Sequence, residues 1–134
     1  MMAETITLQI PDTLYLRLVN TARAQSRSLE EVMLHALLVG SPPQWDDAPE
    51  EFQADLAALD KLDDNTLWEI AYSRKSAAEM ERYNILLAGN QNGTLTEAER
   101  LELMALRLEC DRFMLCKAQA AVLLRWRGHR IPTP

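Results

Sequence analysis

A short segment near the N-terminus alternates polar and apolar residues and is followed at once by a proline. Residues 5–10 read TITLQI, a period of two that predicts one half-buried β-strand, which Pro11 would end. The apolar face would hold Ile6, Leu8 and Ile10, and the polar face Thr5, Thr7 and Gln9. A lone strand of six residues has unpaired edges, and no other segment has a convincing strand pattern. We therefore expect the same strand of a second copy to pair with it across a two-fold axis.

Two helical patterns follow the proline. Leu14, Leu18 and Ala22 recur every four residues and predict a helix over about 13–24. Ser28 then offers a helix N-cap with Glu31 three residues later, the pattern of a capping box. The helix that it opens should run to about residue 38. A strand, a helix, a short turn and a second helix would complete the N-terminal module.

Residues 4–39 resemble the ribbon-helix-helix domains of bacterial repressors and antitoxins. The resemblance is carried by the alternating segment, the proline after it, the Leu/Leu/Ala stripe, the turn ending in serine and the Glu-rich helix closing on Ala-Leu. It covers about a quarter of the chain and implies an intertwined homodimer. The residues that it places in the dimer interface are Ile6, Leu8, Ile10, Leu14, Leu18 and Val32.

The resemblance also implies that the paired ribbon enters the major groove of DNA, where hydroxyl and amide side chains read base edges. Thr5, Thr7 and Gln9 would do so, while Ser28 at a helix N-terminus and Arg27 would meet phosphates. A second interpretation makes the polar face a solvated side of a ribbon that only dimerises. Three departures from the DNA-binding pattern support this alternative: the ribbon has no Lys or Arg, Glu4 lies beside it, and the turn lacks the usual glycine.

A Gly-Ser-Pro-Pro stretch at 40–43 predicts a module boundary, which divides the chain into 1–40, 41–75 and 76–134. Residues 44–69 contain nine acids and one base, with two short helices predicted over about 49–62 and 64–73. Trp45, Phe52 and Trp68 lie among these acids and are candidate anchors for a protein partner with a basic surface, such as a nuclease. The alternative is an acidic linker whose aromatic residues fold back on the rest of the chain.

Residues 76–134 predict a helical hairpin. Ser76 with Glu79, and Thr96 with Glu99, form capping boxes that open a helix to about residue 88 and a second helix of about 31 residues, roughly 47 Å long. The second helix has two apolar stripes on different sides. One is a seven-residue repeat typical of a coiled-coil edge, namely Leu101, Leu108, Leu115 and Val122. One short helix cannot cover both stripes, so further helices or another chain must.

The sequence shows no pattern for catalysis. There is no Ser/His/Asp set, glycine-rich phosphate loop or metal-ligand cluster, and we interpret Cys110 and Cys116 as structural, so no enzyme, cofactor or metal is expected. No apolar run could cross a membrane and no export signal is visible, which favours a cytoplasmic location. The combined prediction is an antitoxin-like DNA-binding regulator that dimerises through its N-terminal module and binds a partner, such as a nuclease toxin, through its helical tail. The alternative is a dimeric scaffold protein that does not bind DNA.

Overall fold

A computed structural model describes residues 3–131 and divides the chain into two compact units, Met1–Ser41 and Pro42–Pro134. The first unit contains helices α1 (Asp12–Ala24) and α2 (Leu29–Val39). The second contains α3 (Glu50–Ala58), a 3₁₀ helix (Leu59–Lys61), α4 (Asp64–Ala71), α5 (Ala77–Asn92) and α6 (Glu97–Trp126). The acidic segment and the hairpin therefore belong to one compact unit.

The described residues 3–131 contain no β-strand, so the predicted fold class, with a strand at residues 5–10, is wrong. Residues 5–10 have no regular secondary structure, and most of their side chains are exposed. The physical reason is that a strand is defined by hydrogen bonds to a backbone partner, and no segment of residues 3–131 supplies one. The strand on which the predicted two-chain ribbon depends is therefore not formed.

The helices of the first unit lie close to their predicted positions. α1 begins directly after Pro11, and Ser26 in the following turn has a φ of 53°. The Ser28 hydroxyl accepts a hydrogen bond from the backbone N–H of Glu31 at 3.1 Å, as the cap pattern predicts. The Glu31 carboxylate, however, pairs with Arg27 at 3.3 Å. The Ser28 cap thus defines the start of α2, while the Glu31 side chain forms an ion pair instead of the second bond of a capping box.

α6 is the central element of the second unit. The 3₁₀ helix, α3 and α4 pack against its C-terminal half, and α5 packs along it as the other arm of the hairpin. The largest buried cluster combines residues from these elements: Leu56, Leu59, Leu67, Ala120, Leu123 and Leu124. Leu86 of α5 and Leu103 of α6 are buried as well. One stripe of α6 therefore supplies the interior of the unit.

The hairpin turn is shorter than the sequence predicts. α5 continues through Gly89 to Asn92, and only Gly93 leaves the helix, with a φ of 70°. The backbone N–H of Thr94 then donates to the carbonyl of Gly89 at 3.0 Å, which closes the helix end. Gly89 does not break the helix because one glycine weakens a helix without removing any backbone hydrogen bond. The left-handed conformation is needed only at residue 93.

No helix among residues 3–131 combines the length and the apolar character that a membrane span requires.

Candidate functional site

The first unit buries very little of its own apolar surface. Its buried hydrophobic residues are Ala22 and Val32, two small or medium side chains. Its large hydrophobic side chains that are about half exposed or more are Ile6, Leu8, Leu14, Tyr15, Leu16, Leu34, Leu37, Leu38 and Val39. Exposed apolar area of this extent on two helices and one segment is typical of an interaction surface.

Three of the six residues predicted to form a dimer interface are on this surface. Ile6 and Leu8 are 84% and 72% exposed, and Leu14 is about half exposed. Ile10 and Leu18 are partly buried, and Val32 is already buried within the unit. The exposed members thus lie in the irregular segment and in the first turn of α1.

The residues predicted to bind DNA are exposed but not aligned by a strand. Thr5, Thr7 and Gln9 lie in the irregular segment. The hydroxyl of Ser28 is occupied by its capping bond, although its neighbouring backbone lies at the exposed start of α2. The guanidinium of Arg27 pairs with Glu31, and both side chains are about half exposed. An ion pair with an acid reduces the positive charge that Arg27 offers to a phosphate.

The three aromatic residues of the acidic segment face the interior of the second unit. Phe52 is 3% exposed, and Trp45 and Trp68 pack against the buried cluster. The Trp68 ring stacks on Tyr72 with 5.4 Å between ring centroids and an interplanar angle of 8°. Phe52 is therefore closed to a partner in this conformation. Most of the acids around these aromatic residues remain exposed, so the surface that the segment presents is negatively charged.

A polar cluster that sequence reasoning missed joins the end of α6 to the start of α4. The guanidinium of Arg127 donates to the carboxylate of Asp64 and to the carbonyl of Leu62, both at 2.9 Å. Nε2 of His129 lies 2.7 Å from the other oxygen of Asp64. The hydrogen bonds from Arg127, and next from His129, hold the pKa of Asp64 below its usual value. More than 60 residues separate these partners, so no local pattern could have indicated the cluster.

A shallow groove lined by residues of α4, α5 and α6 contains the thiol of Cys116. Lys75 lies over the ring of Phe113 at 5.4 Å, and Cys116 lines the groove beside them. Burial raises the pKa of the Cys116 thiol, which favours the unreactive protonated form. Among residues 3–131 no three His, Cys, Asp or Glu side chains form a group able to hold a metal ion. The groove is therefore lined by apolar and charged side chains, and its thiol is not activated as a nucleophile.

Comparison with known proteins gives no relative: no family model, curated protein or solved structure matches this chain.

Proposed function

We propose that this chain is a self-associating interaction protein, a regulator of the antitoxin-like kind, whose first unit binds a second copy and whose second unit binds a protein partner. The observation that carries the proposal is the surface of the first unit. Among residues 3–41, nine large hydrophobic side chains are about half exposed or more, while the buried hydrophobic residues are Ala22 and Val32.

Two helices and an irregular segment cannot bury such side chains by themselves. A domain of about 40 residues usually needs oligomerisation, a metal or disulfides to be stable. Burying one Leu or Ile side chain contributes about 1.5–3 kcal/mol, so covering even a few of these residues would dominate the stability of the unit. A second copy brings the same surface and needs only a two-fold axis.

The charges of the first unit permit this association. Residues 1–43 contain four acids and three bases, so two copies do not repel each other strongly. The excess negative charge of the chain lies in residues 44–69 instead. Self-association through the first unit would thus keep the acidic segments free for a partner.

The mass of the full chain in solution tests self-association. We expect a dimer by multi-angle light scattering, and Leu8→Asp should give a monomer because a carboxylate would enter an apolar interface. Thr7→Asp is the matched control, since it places the same charge on the neighbouring exposed residue outside the apolar set. A monomeric parent protein, or an unchanged mass for Leu8→Asp, would reject the proposal.

The partner of the second unit is proposed from charge. Nine acids against one base in residues 44–69 favour a protein with a basic surface, such as a nuclease. The protein encoded by the neighbouring gene is the first one to test, by titration calorimetry at low and high salt. Affinity that falls with salt, and falls further for Asp46→Asn with Asp47→Asn, supports this part of the proposal. An affinity that changes neither with salt nor with these two substitutions would contradict it.

Operator binding by the first unit is a second candidate function. It is favoured by the exposed hydroxyl and amide groups of Thr5, Thr7 and Gln9, and by the helices α1 and α2, which lie near the positions that the resemblance to DNA-binding antitoxins implies. An electrophoretic shift with DNA from the protein's own promoter tests it. We expect a salt-sensitive shift that Thr7→Ala with Gln9→Ala abolishes. No shift would leave self-association and partner binding as the function.

A further inference from the structure

The side of α6 that does not contribute to the interior carries an exposed apolar seam. We define the seam as Leu101, Met104, Leu108, Leu115, Ala118 and Val122. Leu101 and Met104 are 60% and 61% exposed, Leu108 and Val122 are 48% and 41% exposed, and Leu115 is partly buried. Leu115 packs against the buried cluster, whereas the other five seam residues remain exposed.

The spacing of the seam specifies the shape of what can cover it. Its positions recur at alternating intervals of three and four along a helix of 30 residues, about 45 Å long, with Asp111 in the one position of the row between Leu108 and Leu115. This is the pattern into which the side chains of another long helix insert. Among residues 3–131, α6 is the longest helix, and the next, α5, has 16 residues. A second α6 fits the seam over its whole length.

The charges of α6 are divided between its two halves. Residues 97–111 contain five acids and two bases, whereas residues 112–126 contain three bases and no acid. Two of these charges are already paired within the unit, Glu102 with Arg82 and Arg112 with Asp55. The remaining charges keep the same division, so the two ends of the helix are complementary to each other in an antiparallel arrangement.

The seam itself also distinguishes the two orientations. Asp111 and Arg125 occupy positions in the row of Met104 and Ala118. A parallel pair would place each of them against its own copy, which juxtaposes like charges. An antiparallel pair that places Leu101 opposite Arg125 and Met104 opposite Val122 of the second copy separates the two Arg125 side chains. In the same register each Asp111 lies opposite Leu115. The aliphatic stem of Arg125 would then cover Leu101 while its guanidinium reaches toward Glu97.

We infer that the α6 seams of two copies pack against each other as an antiparallel helix pair. This inference rests on the proposed function, because it takes a second copy as the molecule that covers the seam. It adds a contact between the two copies that the first unit does not provide. A strip about 45 Å long and about 10 Å wide covers on the order of 450 Å² per copy, less than the ~800 Å² of a standard interface. The α6 pair therefore supplements association through the first unit.

Distance measurement between two copies of the full chain tests the pair. A spin label is attached at Ala98→Cys, an exposed position beside the seam, after Cys110→Ser and Cys116→Ala remove the native thiols. In the antiparallel register the two labels are 30 residues apart along the axis, about 45 Å. Parallel helices would bring them within about 20 Å, since packed helices lie 8–10 Å apart.

We expect a narrow maximum near 45 Å that Leu108→Glu abolishes. Ile85→Glu is the matched control, because Ile85 of α5 is 54% exposed, is similar in size and lies outside the seam. A short distance, a maximum that survives Leu108→Glu, or no maximum would overturn the inference. The last result would be expected if another protein or the chain's own first unit covered the seam.

The same samples separate this inference from the proposed function. If Leu8→Asp lowers the mass while the parent dimer shows no 45 Å maximum, the first unit associates and the α6 pair is wrong. If Leu8→Asp leaves both the mass and the maximum unchanged while Leu108→Glu yields monomers, the α6 pair is correct and association through the first unit is wrong.

Discussion

Nε2 of His129 lies 2.7 Å from an oxygen of Asp64, although the two residues are 65 positions apart. The other oxygen of the same carboxylate accepts a hydrogen bond from Arg127. One carboxylate at the start of α4 therefore contacts two side chains of the segment that follows α6. These contacts to Asp64 stabilise the second unit, because they connect the C-terminal end of α6 to the acidic segment that packs against it.

Replacing Asp64 tests whether these contacts stabilise the second unit. We expect Asp64→Asn to lower the midpoint of thermal unfolding, because Arg127 and His129 would lose their anionic acceptor. Asp47→Asn removes an acid of the same segment for which no such contact is seen, and should leave the midpoint within about 1 °C, as for most surface substitutions. Thermal unfolding followed by circular dichroism measures both. Equal midpoints for the two variants would contradict the structural role of Asp64.

The same carboxylate predicts a dependence of stability on pH. The pKa of Asp64 is lowered in the folded chain from a reference of 3.8. The ionised form is thus favoured by folding, so its contribution is fully present well above pH 3.8 and is lost as the pH falls through the lower folded pKa. The midpoint difference between the parent protein and Asp64→Asn should shrink between about pH 5 and pH 2. A difference that is constant over this range would show that the ionised form is not what stabilises the fold.

Leu124 is fully buried in the cluster between α6 and the acidic helices. Leu124→Ala should destabilise the chain by about 2–5 kcal/mol, because it removes buried methyl groups and leaves a cavity. Met114→Ala on the same helix changes a side chain that is 67% exposed and should cost less than about 0.5 kcal/mol. Urea unfolding at equilibrium compares the two. A similar loss of unfolding free energy in both variants would show that Leu124 does not belong to the buried core of the unit.

Gly93 ends α5 in the left-handed conformation, with a φ of 70°. Gly93→Ala should cost about 1–2 kcal/mol because its Cβ disfavours that conformation, even though no atom lies within 4 Å of where the Cβ would be. Gly93→Asn should cost less, since asparagine tolerates positive φ. Asn92→Ala, inside the helix, is the control and should be close to neutral. Urea unfolding again gives the comparison, and a Gly93→Ala variant as stable as the parent would disprove the strain argument.

Thr96 caps α6 through its hydroxyl, which accepts a hydrogen bond from the backbone N–H of Glu99 at 3.2 Å. The Glu99 carboxylate accepts one in return from the N–H of Thr96. Thr96→Ala should lower stability by about 1 kcal/mol, whereas Thr96→Ser retains the acceptor and should stay near the parent value. Denaturant unfolding distinguishes them. A Thr96→Ser variant as weak as Thr96→Ala would mean that the methyl group matters more than the cap.

The sequence alone determined the helices and where most of them begin. Ser28, Ser76 and Thr96 act at the predicted caps because an N-cap needs only the backbone amides two or three residues ahead. The strand at residues 5–10 failed for the opposite reason. Its alternating pattern indicates which side chains would share a face of the strand, but a strand also needs a backbone partner, and no segment of residues 3–131 provides one.

The candidate sites depended on contacts that no local pattern contains. The apolar stripes of α6 were visible in the sequence, but only the packing of α4 and α5 decided which stripe became the interior and which remained exposed as the seam. The same holds for Phe52, which is 3% exposed although its segment could equally have been an open partner-binding region. Caps and helix periodicity are interactions within a few residues, so composition and spacing specify them. Burial and the Asp64 cluster join residues distant in sequence, and only the tertiary structure brings them together.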